Sequence, residues 1–316
     1  MIKVSHLTKK FAGCTAVDDV SFEVGRGEIV GFLGPNGAGK TTTMRILACY
    51  LPATGGSATV AGHDVFADSL EVRRRIGYLP ENVPLYPEMR VDEYLQFRAA
   101  LKGVPAASRR KRIGEVKDLC GLKDVGRRII GQLSKGYRQR VGLAESMVHD
   151  PDLLILDEPT IGLDPNQIRQ VRGLIKDLAQ RHTILLSTHI LTEVEMTCRR
   201  VLIIHRGRIV ASDTPENLRG LMQGGAQVTV ELRGPGEQVL AGLQALPGVR
   251  RVAAEVAGEG WTRYVLEGEG DADVRPAVFD AVSRGGWALR ELHREHRTLE
   301  DVFVSLTQGE PEGGAE

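Results

Sequence analysis

Gly34-Pro35-Asn36-Gly37-Ala38-Gly39-Lys40-Thr41-Thr42, preceded by the apolar run Glu28-Ile29-Val30-Gly31-Phe32-Leu33, is the stretch that decides the fold. The apolar run reads as a short buried strand and Thr41 to Tyr50 as a helix, so the glycines fall in the turn between them. Every fixed position of G-x-x-x-x-G-K-[ST] is filled in that strand–turn–helix setting. Glycine admits positive φ, which lets the backbone curl its N–H groups around an anion, and the helix start adds unpaired donors and a positive partial charge. The residues Asn36, Gly37, Ala38, Gly39, Lys40, Thr41 and Thr42 are therefore expected to cradle a triphosphate. Lys40 would reach the β- and γ-phosphates, and the Thr41 hydroxyl would ligate Mg²⁺.

The chain has 316 residues, more than one domain usually holds, so two domains are expected. Hydrophobic residues make up 42% and charged residues 26%, an ordinary globular balance. Forty-one basic side chains face 41 acidic ones, and this zero net charge supplies no global basic field for nucleic acid. The four cysteines, Cys14, Cys49, Cys120 and Cys198, lack metal-ligand spacing and read as reduced thiols of a cytosolic protein. No run approaches the ~18 apolar residues of a spanning helix, and the start carries no export signal. A role at a membrane would need another chain to hold this one there.

Residues 1–30 read as strands at Ile2-Lys3-Val4, Cys14 to Val17 and Val20 to Val24, with Phe11 a candidate platform for an adenine ring. Strands follow at Ala58 to Gly62 and Ile76 to Glu81, then a helical insert from about residue 88 to 150. Its basic run, Arg109 to Arg112, reads as a solvated helix face. Leu153-Leu154-Ile155-Leu156-Asp157-Glu158 is a continuous apolar run closing in two acids, as a central parallel strand would at its active end. A helix from Gln167 to Gln180 and a second apolar strand, Thr183 to His189, complete a β–α–β unit. Val201 to His205 and Arg208 to Ala211 read as a hairpin around Arg206-Gly207.

The composition shifts between Gly220 and Gly225, and a boundary is expected there. Beyond it the order β-α-β-β-α-β is the ferredoxin-like one, an α+β domain over 226–308 that closes with a helix from Leu299 to Leu306. Trp261 and Trp287 read as core or docking residues. Residues 309–316 are expected to be a disordered tail.

Hydrolysing a γ-phosphate needs a cradle, a metal and a group that orients or deprotonates water. Asp157 is positioned to hold Mg²⁺, through water, and Glu158 to take a proton from the attacking water. His189, at the exit of its strand, would reach the γ-phosphate from the same rim.

Taken together, these motifs resemble the ATP-binding subunit of ABC transporters over roughly residues 1–220, an α/β P-loop NTPase domain with a helical subdomain. Leu133-Ser134-Lys135-Gly136-Tyr137-Arg138-Gln139-Arg140 looks like that family's signature sequence, Gly162-Leu163-Asp164 like its D-loop, Phe11 like its adenine-stacking aromatic and His189 like its switch histidine. Two departures stand out. Lys135 and Tyr137 replace a Gly and the Gln of L-S-G-G-Q, and Glu81 replaces the Q-loop Gln, which keeps a possible Mg²⁺ ligand but adds a negative charge. With the segment Leu299-Glu300-Asp301-Val302-Phe303, these variants resemble the subgroup serving ABC-2 type exporters, including gliding-motility-associated and multidrug systems.

The resemblance implies a head-to-tail pair of copies that sandwich ATP, with Ser134, Gly136 and Asp164 acting on the partner's nucleotide. It further implies a membrane-spanning permease partner and a place on the cytoplasmic face of the membrane. A soluble ABC-type ATPase acting on ribosomes or DNA is the alternative, and the chain lacks the duplicated domain or long coiled-coil insertion of such proteins.

Overall fold

A computed structural model describes residues 1–220, 227–268, 272–295 and 299–308; the expected tail and the 221–226 part of the expected linker lie outside the described residues. The chain divides into two compact units, Met1–Pro215 and Glu216–Glu316.

The first unit opens with strands β1 (Ile2–Phe11), β2 (Cys14–Val24) and β3 (Ile29–Leu33), followed by helix α1 (Lys40–Leu47). The sequence read β2 as two pieces, yet the chain stays paired through Asp18-Asp19 because β1 takes up the mismatch in shifted registers and Asp19 adopts φ 55°. Next come β4 (Gly55–Val60), β5 (His63–Asp64), α2 (Ser69–Arg75) and β6 (Ile76–Leu79), then the helices α3 (Val91–Leu101), α4 (Ala106–Leu119) and α5 (Lys135–Met147). The unit continues with β7 (Leu153–Asp157), α6 (Pro165–Leu178), β8 (Thr183–Thr188), α7 (Leu191–Thr197), β9 (Arg200–His205) and β10 (Arg208–Asp213), and α8 (Pro215–Gly220) starts at the boundary.

These strands form two sheets, a four-stranded β2-β1-β4-β5 and a six-stranded β10-β9-β3-β8-β7-β6. In the larger sheet β9, β3, β8, β7 and β6 run parallel, with β10 antiparallel at the edge. Every residue of β3, β7 and β8 is buried, which is why they read as unbroken apolar runs. The core lies around α1, where Val4, Val20 and Phe22 of the smaller sheet meet Phe32, Met44, Leu47, Leu185 and Leu202. The β9–β10 hairpin turns through Arg206 at φ 47° and Gly207 at φ 80°, a pair of left-handed residues that matches strand twist.

Helices α3, α4 and α5 fill the expected insert, although the stretch between α4 and α5 holds only two short 3₁₀ turns. Arg98 and Glu145 join α3 to α5 by Nη2–Oε1 at 2.5 Å. The basic run is only partly a solvated face: Arg112 bonds Met147 O at 2.9 Å and Asp150 Oδ1 at 2.7 Å, so it holds α4 to the end of α5.

The second unit contains β11 (Gln227–Arg233), α9 (Gly236–Gln244), β12 (Val249–Gly258), β13 (Trp261–Gly268), α10 (Arg275–Gly285), β14 (Ala288–Glu295) and α11 (Leu299–Gln308). Its antiparallel sheet has the order β12-β13-β11-β14. Val228, Val230 and Leu232 pack with Val239, Leu243 and Val278, and Trp287 joins this core. Trp261 instead lies half-buried under the guanidinium groups of Arg233, at 5.2 Å, and Arg290, at 5.7 Å. Among the described residues no helix is long and apolar enough to cross a membrane.

Helix α5 is seated on β6 at Gly77, where a methyl group would collide with the Ser146 carbonyl and press on Leu154. We expect Gly77→Ala to destabilise the protein by about 1–3 kcal/mol in urea unfolding. An unchanged midpoint would show that α5 is held elsewhere.

Candidate active site

Strand register brings the chemistry-bearing ends together. Leu33 pairs with Thr188 and Asp157 with Ser187, so the loops leaving β3, β7 and β8 share one rim of the sheet. The first of these is the glycine loop. Gly37 and Gly39 have φ of 80° and 106°, and a Cβ on Gly34 or Gly39 would strike the carbonyl oxygens of Ile204 or Ala16. Asn36 and Gly37 are exposed, whereas Ala38 and Gly39 are buried at the start of α1, and Thr41 and Thr42 are partly buried in its first turn. Lys40 is 5% exposed. Its Nζ donates to Gly34 O at 2.7 Å and Pro35 O at 3.1 Å and lies 3.4 Å from Glu158 Oε1.

At the end of β7, Asp157 is fully buried and Glu158 is 4% exposed. Asp157 Oδ1 accepts from Ser187 Oγ at 2.6 Å and from Thr41 Oγ1 at 3.2 Å. Its other oxygen, Oδ2, is buried with no hydrogen-bond partner among the described residues. Burial pushes the Asp157 carboxyl above the usual range; the Ser187 and Thr41 hydrogen bonds oppose this, and the nearby charges of Glu158 and Glu81 add to it. A buried oxygen without a partner, beside a hydroxyl and carboxylates, forms an all-oxygen set suited to a hard cation.

Glu158 sits at φ 48°, an uncommon conformation for a residue with a side chain, and turns out of the strand. Its N–H bonds Ser187 Oγ at 3.0 Å, and its carboxylate lies between two cationic or hydrogen-bonding groups, Lys40 and His189 Nδ1, the latter at 2.9 Å from Oε2. Ser187 thus holds the Asp157 carboxylate and the Glu158 backbone together. Sequence reading passed over it, although two hydroxyl residues closing an apolar strand were the available signal.

Among the described residues, the remaining expected residues make no hydrogen bond or ion pair with Lys40, Asp157, Glu158 or His189. Phe11 ends β1 with 48% exposure and Lys9 over its ring at 5.2 Å, so it is no core phenylalanine. Ser134 caps α5, accepting from Tyr137 N at 3.4 Å, and Gly136 is buried in the first turn. Asp164 caps α6 by accepting from Asn166 N and Gln167 N, each at 3.0 Å.

The elevated Asp157 titration has a consequence for stability. Its folded-state value exceeds the unfolded one, so the carboxylate costs stability above the unfolded value, and the cost fades as pH falls through the folded value. We expect Asp157→Asn to raise the nucleotide-free melting temperature at pH 7 by a few degrees, about 1 kcal/mol, with the gap narrowing on acidification. A lower melting temperature would mean that the carboxylate is already compensated.

Residues 17–161 match the family model for the ABC transporter. The daunorubicin/doxorubicin resistance ATP-binding protein DrrA of Streptomyces peucetius is 35% identical over 317 residues, covering 97% of this chain and 92% of the relative. The probable multidrug ABC transporter ATP-binding protein YbhF of Escherichia coli is 37% identical over 220 residues; the match covers 69% of this chain but only 38% of that longer protein. Among solved structures, the dimeric post-hydrolysis state of the cassette MJ0796 bound to ADP and phosphate matches with a TM-score of 0.62 and 25% identity, covering 68% of this chain and 98% of the other. With the phosphate loop, the paired acids and the histidine on one rim of a matching fold, the chain belongs to the family of ABC transporter ATP-binding proteins.

Proposed function

We propose that this chain is the ATP-hydrolysing subunit of a membrane exporter, working as a pair of identical copies on the cytoplasmic face of the membrane. The observation that carries the reading is the Lys40–Glu158–His189 chain of contacts beside the partnerless oxygen of Asp157. Lys40 would leave the carbonyls of Gly34 and Pro35 for the β- and γ-phosphates, while the N–H groups from Asn36 to Thr42 surround them. Phe11, exposed at the end of its strand, would take the adenine face.

Thr41 and Asp157, with Glu81 nearby, would hold Mg²⁺, which neutralises charge developing on the phosphate oxygens. Glu158, held between Lys40 and His189, would accept the proton of the attacking water, and His189 would hold that carboxylate in place and meet the γ-phosphate. Among the described residues no cluster of three His, Cys, Asp or Glu side chains could hold a metal.

Ser134, Gly136 and Asp164 stand at the starts of α5 and α6, and in this reading they complete the site of the partner copy, so that one copy supplies half a site and its partner the rest. ATP would then bridge the copies, and loss of the γ-phosphate would release them, moving a permease through the helical insert and the Glu81 loop. The names of the relatives speak of drug resistance and multidrug transport, and a drug-like organic cargo is the matching expectation for this chain.

Glu158→Gln tests the reading. Turnover should fall at least about a hundredfold, and Mg-ATP, but not Mg-ADP, should shift the variant to twice its mass in size-exclusion chromatography with light scattering. A wild-type kcat would remove Glu158 as the base.

A further inference from the structure

Strand β12 ends the sheet of the second unit and lacks the usual guards of an edge. It runs from Val249 to Gly258 without proline or lysine, and all of it but Val249 and Val252 is exposed, Val256 at 83%. Its pairing with β13 shifts register only near its ends, between Val249 and Arg251 and between Val256 and Gly258. Arg251 to Val256 therefore offers an unbroken row of backbone donors and acceptors along the outer edge, and among the described residues no further strand pairs with it.

The side chains along this row are complementary to themselves. Val252 and Ala254 stand opposite Leu266 and Tyr264 of the core, so Arg251, Ala253 and Glu255 share the other face. There Arg251 pairs in register with Glu267 and Glu255 with Arg263, whose Nη2 also lies 2.8 Å from Glu231 Oε1. An antiparallel copy of the strand, laid along the edge with the two Ala253 residues opposite each other, sets Arg251 of each chain against Glu255 of the other. Charges then alternate across the joint, from Glu267 to Arg251 to the partner's Glu255 to the partner's Arg263, and the same row recurs in reverse. On the core face Val252 meets the partner's Ala254, and the stem of Arg250 covers the partner's exposed Val256. Moving the axis by one residue either way sets Arg251 and Glu255 against alanine or valine instead, so charge selects the register.

We propose that β12 pairs antiparallel with β12 of a second copy about a two-fold axis at Ala253, joining the two sheets into one. This contact needs no nucleotide and stands independently of the shared ATPase site, so it keeps two copies together when no ATP bridges them.

Sedimentation of the full chain over a concentration series, without nucleotide, tests it. The wild type should dimerise, and Arg251→Glu and Glu255→Arg should each weaken that dimer about tenfold or more, since each places like charges together at both ends of the joint. Mixed in equal amounts, the two variants should regain the wild-type affinity, because a pair with one of each has opposite charges at both ends. Ala253→Cys brings two Cα atoms to about 4.5–5.5 Å, within disulfide reach, and should give a cross-linked dimer under mild oxidation that the wild type, with its exposed Cys14, does not. A monomeric wild type, a dimer indifferent to both charge variants, a mixture no tighter than its components, or an Ala253→Cys protein that fails to cross-link overturns the proposal.

Discussion

The structure depends on two buried carboxylates at the end of β7. Asp157 and Glu158 sit side by side with almost no exposure, an arrangement that costs free energy unless charges and donors surround it. Thr41, Ser187, Lys40 and His189 supply that environment, the first and third from the start of α1 and the other two from the end of β8, on the same rim. The parallel sheet exists, in functional terms, to bring those turns into register. The compensation stays incomplete at Asp157 Oδ2, and that deficit marks where a ligand belongs.

Much of this was legible in the sequence because the signals are local. A glycine loop between an apolar run and a helix needs no long-range knowledge, nor does a fully apolar strand ending in two acids. The β–α–β unit and the hairpin at Arg206-Gly207 were legible because a parallel strand buried on both faces and a left-handed turn each leave a mark within a few residues. In the second unit the element order followed in the same way from alternating short patterns.

What was not legible depends on register and on packing between distant segments. Ser187 matters only because β8 pairs with β7 at Asp157. The β1–β2 ladder bridges Asp18-Asp19, where composition says turn, because shifted pairing tolerates a left-handed residue on each strand, His6 and Asp19. Arg112 belongs to a run of like charges, yet it points at the backbone ending α5, a contact no charge pattern encodes. Lys135 read as a departure from a motif, and that its side chain lies against Gly162 shows only when the starts of α5 and α6 are seen together.

The central claim is that the hydrolytic site is shared between two copies. The most direct measurement mixes two variants, one with Lys40→Ala and one with Ser134→Arg, each checked for folding and each assayed alone. Alone, both should be inactive, since every symmetric pair lacks one half of each site. Mixed in equal amounts, half the pairs hold one intact site, so about a quarter of wild-type ATPase activity should return if the sites act independently. A mixture no more active than its components, or an Ser134→Arg protein that hydrolyses ATP normally alone, would contradict the shared site.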